Sequence, residues 1–295
     1  MPSLKEVRNR IVSVNSTQQI TKAMKMVSAA KLRRAQDRAI KIRPYAEKIN
    51  AILHNISVSL EETTDNVFSE ERELKRVLIV AITSDRGLAG AFNVNVVKAC
   101  MALIEEKYQS LAQESKVDFM CLGKKGAEII AKKGNAVNTD FQHIFYDLTF
   151  ESSRNASEYI MNAYANGIYD QVVVVYNEFK NVVTQIVRTE QFLPIVSVDS
   201  KSNNKSTTET DFIFEPSQAD IVKELIPKSL KIQFYKYILE SNASEHGARM
   251  TAMDKATENA KELLKSLKLT YNRSRQAAIT KEILEIVGGA EALNN

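Results

Sequence analysis

The two ends of the chain each contain a long stretch without glycine or proline, at residues 3–43 and 248–287. Apolar residues recur at helical spacing in both stretches, so each predicts one long α-helix. At ~1.5 Å of rise per residue, each helix would be about 60 Å long, which exceeds the width of a small domain. Helices of this length must pack on each other, on a partner protein or on nucleic acid, and the function is expected to depend on what they contact.

The N-terminal helix is predicted to begin at Ser3, because Ser3 and Glu6 have the spacing of a capping box. Its apolar positions then repeat every three or four residues, and the repeat resumes after a polar stretch. The helical pattern continues past Pro44, so the helix is assigned to residues 1–60. The predicted apolar seam comprises Leu4, Val7, Ile11, Val14, Ile20, Met24, Val27 and Ala30.

The C-terminal helical segment is assigned to residues 217–293, with the pair Gly288 and Gly289 as its stop signal. Its apolar seam has coiled-coil spacing and shifts by one position near its end. The first part of the seam comprises Ala260, Leu264, Leu267, Tyr271, Ser274 and Ala278, and the second part comprises Ile279, Ile283, Ile286, Ala290 and Leu293.

Between the two helical segments, residues 75–198 alternate short β-rich runs with helical runs, which predicts an α/β domain. A hairpin near its end predicts a mixed sheet. Residues 199–216 are poor in apolar side chains and are interpreted as a linker loop. The predicted strands are 77–83, 117–122, 141–145, 171–176 and 182–190, and the predicted helices are 94–111, 124–133 and 154–166.

The charge is distributed unevenly. Residues 1–60 carry twelve Lys and Arg against three Asp and Glu, whereas the balance over residues 61–216 is −7. The basic N-terminal helix predicts an acidic partner, either nucleic acid or an acidic protein surface. Apolar residues alternate with the charged residues of this helix, which favours a half-buried packing face over a surface that binds nucleic acid.

The residues provide no catalytic constellation, cofactor motif or metal-ligand spacing. The loop at residues 83–90 follows a strand but lacks a phosphate-binding glycine pattern, so it is interpreted as a tight turn with Asp85 and Arg86 in local hydrogen bonds. Cys100 and Cys121 lie in apolar runs, which favours reduced, buried thiols. Two alternatives remain: a nucleotide-binding enzyme with a coiled-coil arm, which a nucleotide bound at residues 85–90 would favour, and a coiled-coil scaffold for nucleic acid.

Four segments together resemble a known family, the gamma subunit of F-type ATP synthases. They are TQQITKAMKMVSAAKLRRAQ within residues 11–36, TSDRGLAGAFN at 83–93, ASEHGARMTAMDKATENA at 243–260 and YNRSRQAAITKEILEIVGGAEAL at 271–293. The resemblance covers essentially the whole chain. It implies a long antiparallel coiled coil formed by the N- and C-terminal helices, together with a Rossmann-like α/β domain that has a mixed sheet.

The resemblance also implies a function. In that family the coiled coil stands inside a hexamer of alpha and beta subunits, and the α/β domain rests with the epsilon subunit on the membrane ring of c subunits. Proton flow turns the ring and this central stalk, which drives the beta subunits through the conformations that make ATP. The chain is thus expected to be a non-catalytic rotor subunit without cofactor, peripheral on the cytoplasmic side of a bacterial inner membrane.

The matched motifs assign roles to eight residues as expectations. Arg275 and Gln276 are expected to make polar contacts with a loop of the beta subunit. Met24 and Lys25 are expected to lie where the central stalk passes the acidic lever segment of the beta subunit. An apolar tip, expected to turn in an apolar bearing of the hexamer, comprises Ile283, Ile286, Val287 and Leu293.

Overall fold

The structure, a computed structural model, describes residues 3–59, 67–195 and 218–293. The predicted linker at 199–216 lies outside these residues. The chain divides into two compact units: residues 1–29 with 249–295, here called the helical unit, and residues 30–248, here called the α/β unit. The elements are α1 (Leu4–Ser59), β1 (Val77–Ile82), α2 (Phe92–Lys107), α3 (Gln109–Gln113), β2 (Val117–Leu122), α4 (Lys124–Ala131), β3 (Val137–Asn138), α5 (Phe150–Ala165), β4 (Gln171–Phe179), β5 (Gln185–Leu193) and α6 (Gln218–Leu293).

The α/β unit is built on a five-stranded sheet with the order β3-β2-β1-β4-β5. Strands β3, β2, β1 and β4 are parallel, and β5 is antiparallel to β4. Residues 180–184 join β4 to β5, and a connection this short permits only antiparallel pairing. The predicted mixed sheet and α/β fold class are therefore confirmed.

The sheet is covered on both faces. Alternate residues of β1 contribute to two separate cores, and every residue of the strand is at most 1% exposed, which explains why its sequence is continuously apolar. Leu78, Val80 and Ile82 pack with α5 and α6, whereas Val77, Ile79 and Ala81 pack with α2 and α4. The α/β unit is thus a three-layer structure.

The N-terminal part of α6 supplies much of one covering layer. Leu230, Phe234, Tyr237 and Ile238 are at most 3% exposed and share one helical face against the sheet. Burying each such side chain stabilises the fold by about 1.5–3 kcal/mol. The first part of α6 is therefore a core element of the α/β unit.

The predicted N-terminal cap is present, since the amide of Glu6 donates to Ser3 Oγ at 3.2 Å. Pro44 lies inside α1 and Pro227 inside α6, so neither residue ends its helix. Glu6 itself pairs with Arg10 at 3.2 Å, one turn further along.

Two sequence predictions are wrong. Residues 141–145 form turns instead of a strand, because Phe141 and Phe145 pack as single side chains against the core, and the edge strand is the short β3. The helix also does not stop at Gly288 and Gly289, since α6 continues to Leu293. A glycine in a helix weakens it by only about 1 kcal/mol, which does not by itself end a helix of this length.

The connection from β2 to α4 requires glycine. Gly123 has φ 108°, and a Cβ at this position would lie 2.2 Å from the carbonyl oxygen of Thr83. The amide of Gly126 donates to Thr83 Oγ1 at 3.0 Å. The first turn of α4 therefore approaches the end of β1 more closely than a side chain at residue 123 would allow.

We expect Gly123→Ala to lower the free energy of unfolding by about 3 kcal/mol or more, because backbone strain and a steric clash combine. Gly134→Ala is the matched control, since Gly134 also has positive φ (85°) but open space around its Cβ position. The control should cost about 1–2 kcal/mol. Urea unfolding measures both, and equal losses would contradict the close approach.

Candidate functional site

The helical unit is an antiparallel helix pair. Thr257 Oγ1 donates to Thr21 Oγ1 at 2.8 Å, and Lys25 Nζ donates to Asp254 Oδ1 at 2.5 Å. Residue numbers thus rise along α1 while they fall along α6. The predicted antiparallel coiled coil of the N- and C-terminal helices is confirmed.

Side-chain burial defines the seam between the helices. On α6 the predicted positions 260, 264, 267, 271, 274 and 278 are all buried or half-buried, so the first part of this seam is confirmed. The second part is wrong at Ile279, Ile283, Ile286 and Ala290, which are exposed. On α1 the seam begins as predicted at Leu4, Val7, Ile11 and Val14. It then continues with polar residues at Gln18, Thr21 and Ser28.

The second half of the predicted α1 seam is wrong at Ile20 and Val27, which are 59% and 57% exposed, and Ala30 is exposed as well. The buried hydroxyls at Thr21 and Ser28 are tolerated because each bonds a carbonyl of its own helix, Gln18 O at 3.0 Å and Met24 O at 2.8 Å. The apolar residues alone predict the wrong positions here, whereas an unbroken helical repeat through positions 18, 21, 25 and 28 identifies the true seam.

The C-terminal end of α6 extends beyond its partner. If the antiparallel register that pairs Thr21 with Thr257 is continued towards the start of α1, Leu4 lies opposite about residue 274 of α6. Residues 279–290 are all exposed. The last sixteen residues of α6, 278–293, amount to about 24 Å of helix. Several of their side chains are large and apolar, namely Ile279, Ile283, Leu284, Ile286 and Val287.

The expected contact residues lie in two separate places. Met24 and Lys25 are half-buried near the centre of α1, and Lys25 is held by Asp254. Arg275 and Gln276 are exposed where the helix pair ends, about 30 Å from Asp254 along α6. The structure therefore does not combine these four residues into one site.

Of the expected apolar tip, three residues are exposed: Ile283 by 54%, Ile286 by 72% and Val287 by 49%. The side chain of Leu293 lies outside the part of the chain whose side chains are described. Ile283, Ile286 and Val287 form, together with Ile279 and Leu284, the exposed apolar end of α6.

The loop after β1, in the α/β unit, has its polar groups engaged within the chain. The amide of Lys124, at the start of α4, donates to Asp85 Oδ1 at 3.2 Å, and the amide of Lys125 donates to Ser84 O at 3.0 Å. Ser84 Oγ donates to the carbonyl of Arg86 at 2.7 Å. A helix N-terminus binds phosphate through such amides, and here a carboxylate and a carbonyl of the chain bond them. The predicted local hydrogen bond is confirmed for Arg86, whose carbonyl bonds Ser84, whereas Asp85 bonds the first turn of α4, 39 residues further along the chain.

The two cysteines are core residues of the α/β unit. Cys100 and Cys121 are fully buried on α2 and β2. Burial raises the pKa of both thiols, that of Cys121 to about 12. The reactive thiolate form is therefore rare near neutral pH.

Leu264 and its neighbour Leu263 provide a test of the seam. Leu264 is 9% exposed between the helices, whereas Leu263 is 48% exposed. Leu264→Ala should lower the stability of the helical unit by about 2–3 kcal/mol, since it removes buried apolar volume. Leu263→Ala should change it by less than about 0.5 kcal/mol. Denaturant unfolding followed by helical circular dichroism measures both, and a larger loss at Leu263 would contradict the seam.

Comparison with known proteins identifies the family. A family model described as ATP synthase matches residues 3–293. The ATP synthase gamma chain of Cytophaga hutchinsonii is 75% identical over 295 residues and that of Flavobacterium johnsoniae 54% identical over 294, each match covering both chains completely. A chain in the solved mitochondrial ATP synthase of Euglena gracilis, in rotational state 3, has the same fold, with a TM-score of 0.65 at 20% identity, covering 98% of this chain and 94% of that one.

Among residues 3–59, 67–195 and 218–293, no helix is both long enough and apolar enough to cross a membrane. The match to the Cytophaga gamma chain covers all 295 residues and therefore includes the helix pair, the α/β unit and the exposed apolar end of α6. The chain therefore belongs to the ATP synthase gamma chain family.

Proposed function

We propose that this chain is the central-stalk rotor subunit of a proton-translocating F1Fo ATP synthase. The observation that carries the proposal is the 75% identity to a gamma chain along the complete length of both proteins. The exposed apolar end of α6 supports it, because Ile279, Ile283, Leu284, Ile286 and Val287 are all exposed on one helix segment, and exposed apolar side chains grouped in this way mark a contact site for another protein.

In this proposal the helical unit occupies the centre of a hexamer of alpha and beta subunits. The exposed apolar end of α6, with Ile283, Ile286 and Val287 and with Leu293 at its last position, turns in an apolar bearing. Apolar contact is non-directional, so its energy changes little as the helix rotates. Directional hydrogen bonds would instead hold the helix at particular angles.

The polar residues near the end of the helix pair act differently. Arg275 presents a planar group with five donors, and Gln276 presents both a donor and an acceptor, so each can bond a loop of the beta subunit at defined angles. Met24 and Lys25 lie where the central stalk passes the acidic lever segment of the beta subunit. The bond from Lys25 to Asp254 holds this lysine on the helix surface.

The chain performs no bond chemistry in this proposal. The α/β unit binds the epsilon subunit and the ring of c subunits, so the chain is peripheral to a bacterial inner membrane on its cytoplasmic side. Rotation changes which face of the stalk each beta subunit meets. Because the faces differ, each orientation stabilises a different beta conformation, and the stalk acts as the effector of nucleotide binding and release.

Assembly with partner subunits tests the proposal. Purified chain should join alpha and beta subunits into a stable complex with one copy of the chain, and its ATPase activity should depend on the chain. Size-exclusion chromatography and an ATPase assay measure both. A complex that forms and hydrolyses ATP equally well without the chain would contradict the proposal.

Replacing Arg275 and Gln276 together by Ala should impair assembly or lower ATP turnover of the complex, since both contacts with the beta loop are lost. The fold should be unaffected, because both side chains are exposed. Lys268→Ala with Asn272→Ala is the matched control, as these two residues are also exposed on α6. Unchanged assembly and turnover in the Arg275 and Gln276 variant would remove the role assigned to the pair.

A further inference from the structure

A buried carboxylate joins three elements inside the α/β unit. The side chain of Glu240 on α6 is 4% exposed. Its Oε1 accepts hydrogen bonds from Arg43 Nε at 3.0 Å and Arg43 Nη2 at 2.6 Å, both from α1. Its Oε2 accepts from the backbone amide of Phe179, at the end of β4, at 3.2 Å. We call this arrangement the Glu240 junction.

The other buried contacts of α1 in this unit are of a different kind. They involve small or aliphatic side chains at helical spacing, namely Leu32, Ala35, Ala39, Ala46 and Ile49. Such contacts hold two helices together without fixing their angle strongly, because apolar packing is not directional. Arg38 reaches the carbonyl of Leu148 only at 3.4 Å, which is a long hydrogen bond.

The Glu240 junction is both directional and charge-assisted. Nε and Nη2 of one guanidinium converge on one carboxylate oxygen, Oε1, and these two charge-assisted bonds hold that oxygen at the edge of the guanidinium. A buried carboxylate is costly unless it is paired and hydrogen-bonded, and three donors meet this requirement here. A slip of α1 by one residue would break the pair and leave the charge of Glu240 buried with one donor.

We propose that Glu240 is a positioning residue that fixes the angle and axial register of α1 against α6 and β4. Since α1 and α6 are both continuous helices, a torque on the sheet is then transmitted to both of them together. The register claim stands on the contacts alone, whereas the torque claim rests on the proposed function.

Three variants separate register from stability. Arg43→Met removes the pair but leaves the charge of Glu240 buried, which should lower stability. Adding Glu240→Gln removes that charge and keeps an acceptor for the amide of Phe179, which should restore most of the stability without restoring the bond to α1. Arg38→Met is the matched control, because Arg38 lies on the same helix and its hydrogen bond to the Leu148 carbonyl is long.

Hydrogen exchange in the full chain tests the register claim. Backbone amides of residues 36–49 in α1 should exchange about tenfold faster than in the unmodified chain, both in Arg43→Met and in the double variant Arg43→Met with Glu240→Gln. A tenfold faster exchange corresponds to a loss of about 1.4 kcal/mol in the free energy of local opening. Amides of residues 228–248 in α6 should be unchanged in the double variant, and Arg38→Met should match the unmodified chain. Unchanged exchange of residues 36–49 in the double variant would overturn the proposal.

Coupling in the complete synthase, reconstituted in vesicles, tests the torque claim. The number of protons moved per ATP hydrolysed should fall by about half in the double variant, although the midpoint of its thermal unfolding is restored. The same number should be unchanged in Arg38→Met. An unchanged ratio would overturn the torque claim. If the unmodified chain supported no proton movement, the proposed function would fail, while the exchange result would still decide the register claim.

Discussion

The burial of one face of α6 against the parallel sheet is the interaction on which the rest of the structure depends. Leu230, Phe234, Tyr237 and Ile238 complete the core on one side of β1 and β4. Without them α5 would cover only part of that face, and a sheet with parallel strands is stable only when both faces are covered. The same helix then continues through the helical unit, where α1 pairs with it, to an end that bears exposed isoleucines.

One helix thus serves in three environments, and its side chains change accordingly. Large aromatic and aliphatic residues face the sheet, a mixture of small and large residues such as Ala260, Leu264 and Ser274 faces α1, and Ile283, Ile286 and Val287 face solvent. Several large apolar side chains exposed together on one helix mark an interaction site. The exposed apolar side chains at the end of α6 are explained if another protein covers them, as the proposed central-stalk function requires. The Glu240 junction, for which we propose a positioning role, lies inside the α/β unit instead.

The sequence predicted elements well where the hydrophobic pattern has one explanation. The run at Val77–Ile82 is continuously apolar and the run at Val117–Leu122 is apolar from Phe119 onward, because both faces of the sheet are buried there, and the structure has strands at both places. The sequence predicted elements poorly where a side chain is apolar, or polar, because of what it packs against in the folded chain. Phe141 and Phe145 pack against the core from turns, and Thr21 replaces Ile20 in the seam because its hydroxyl finds partners. The exposure of the α6 end follows from where α1 begins, which requires the register of two distant segments.

Rotation within the assembled hexamer tests the central claim most directly. Val183, 78% exposed in the β4–β5 connection, can be replaced by Cys and labelled, since Cys100 and Cys121 are buried with raised thiol pKa values. With the hexamer fixed to a surface through its beta subunits, a marker on residue 183 should turn in one direction on addition of ATP and stop when ATP is removed. A marker that stays at a fixed angle while the same complex hydrolyses ATP would contradict the account.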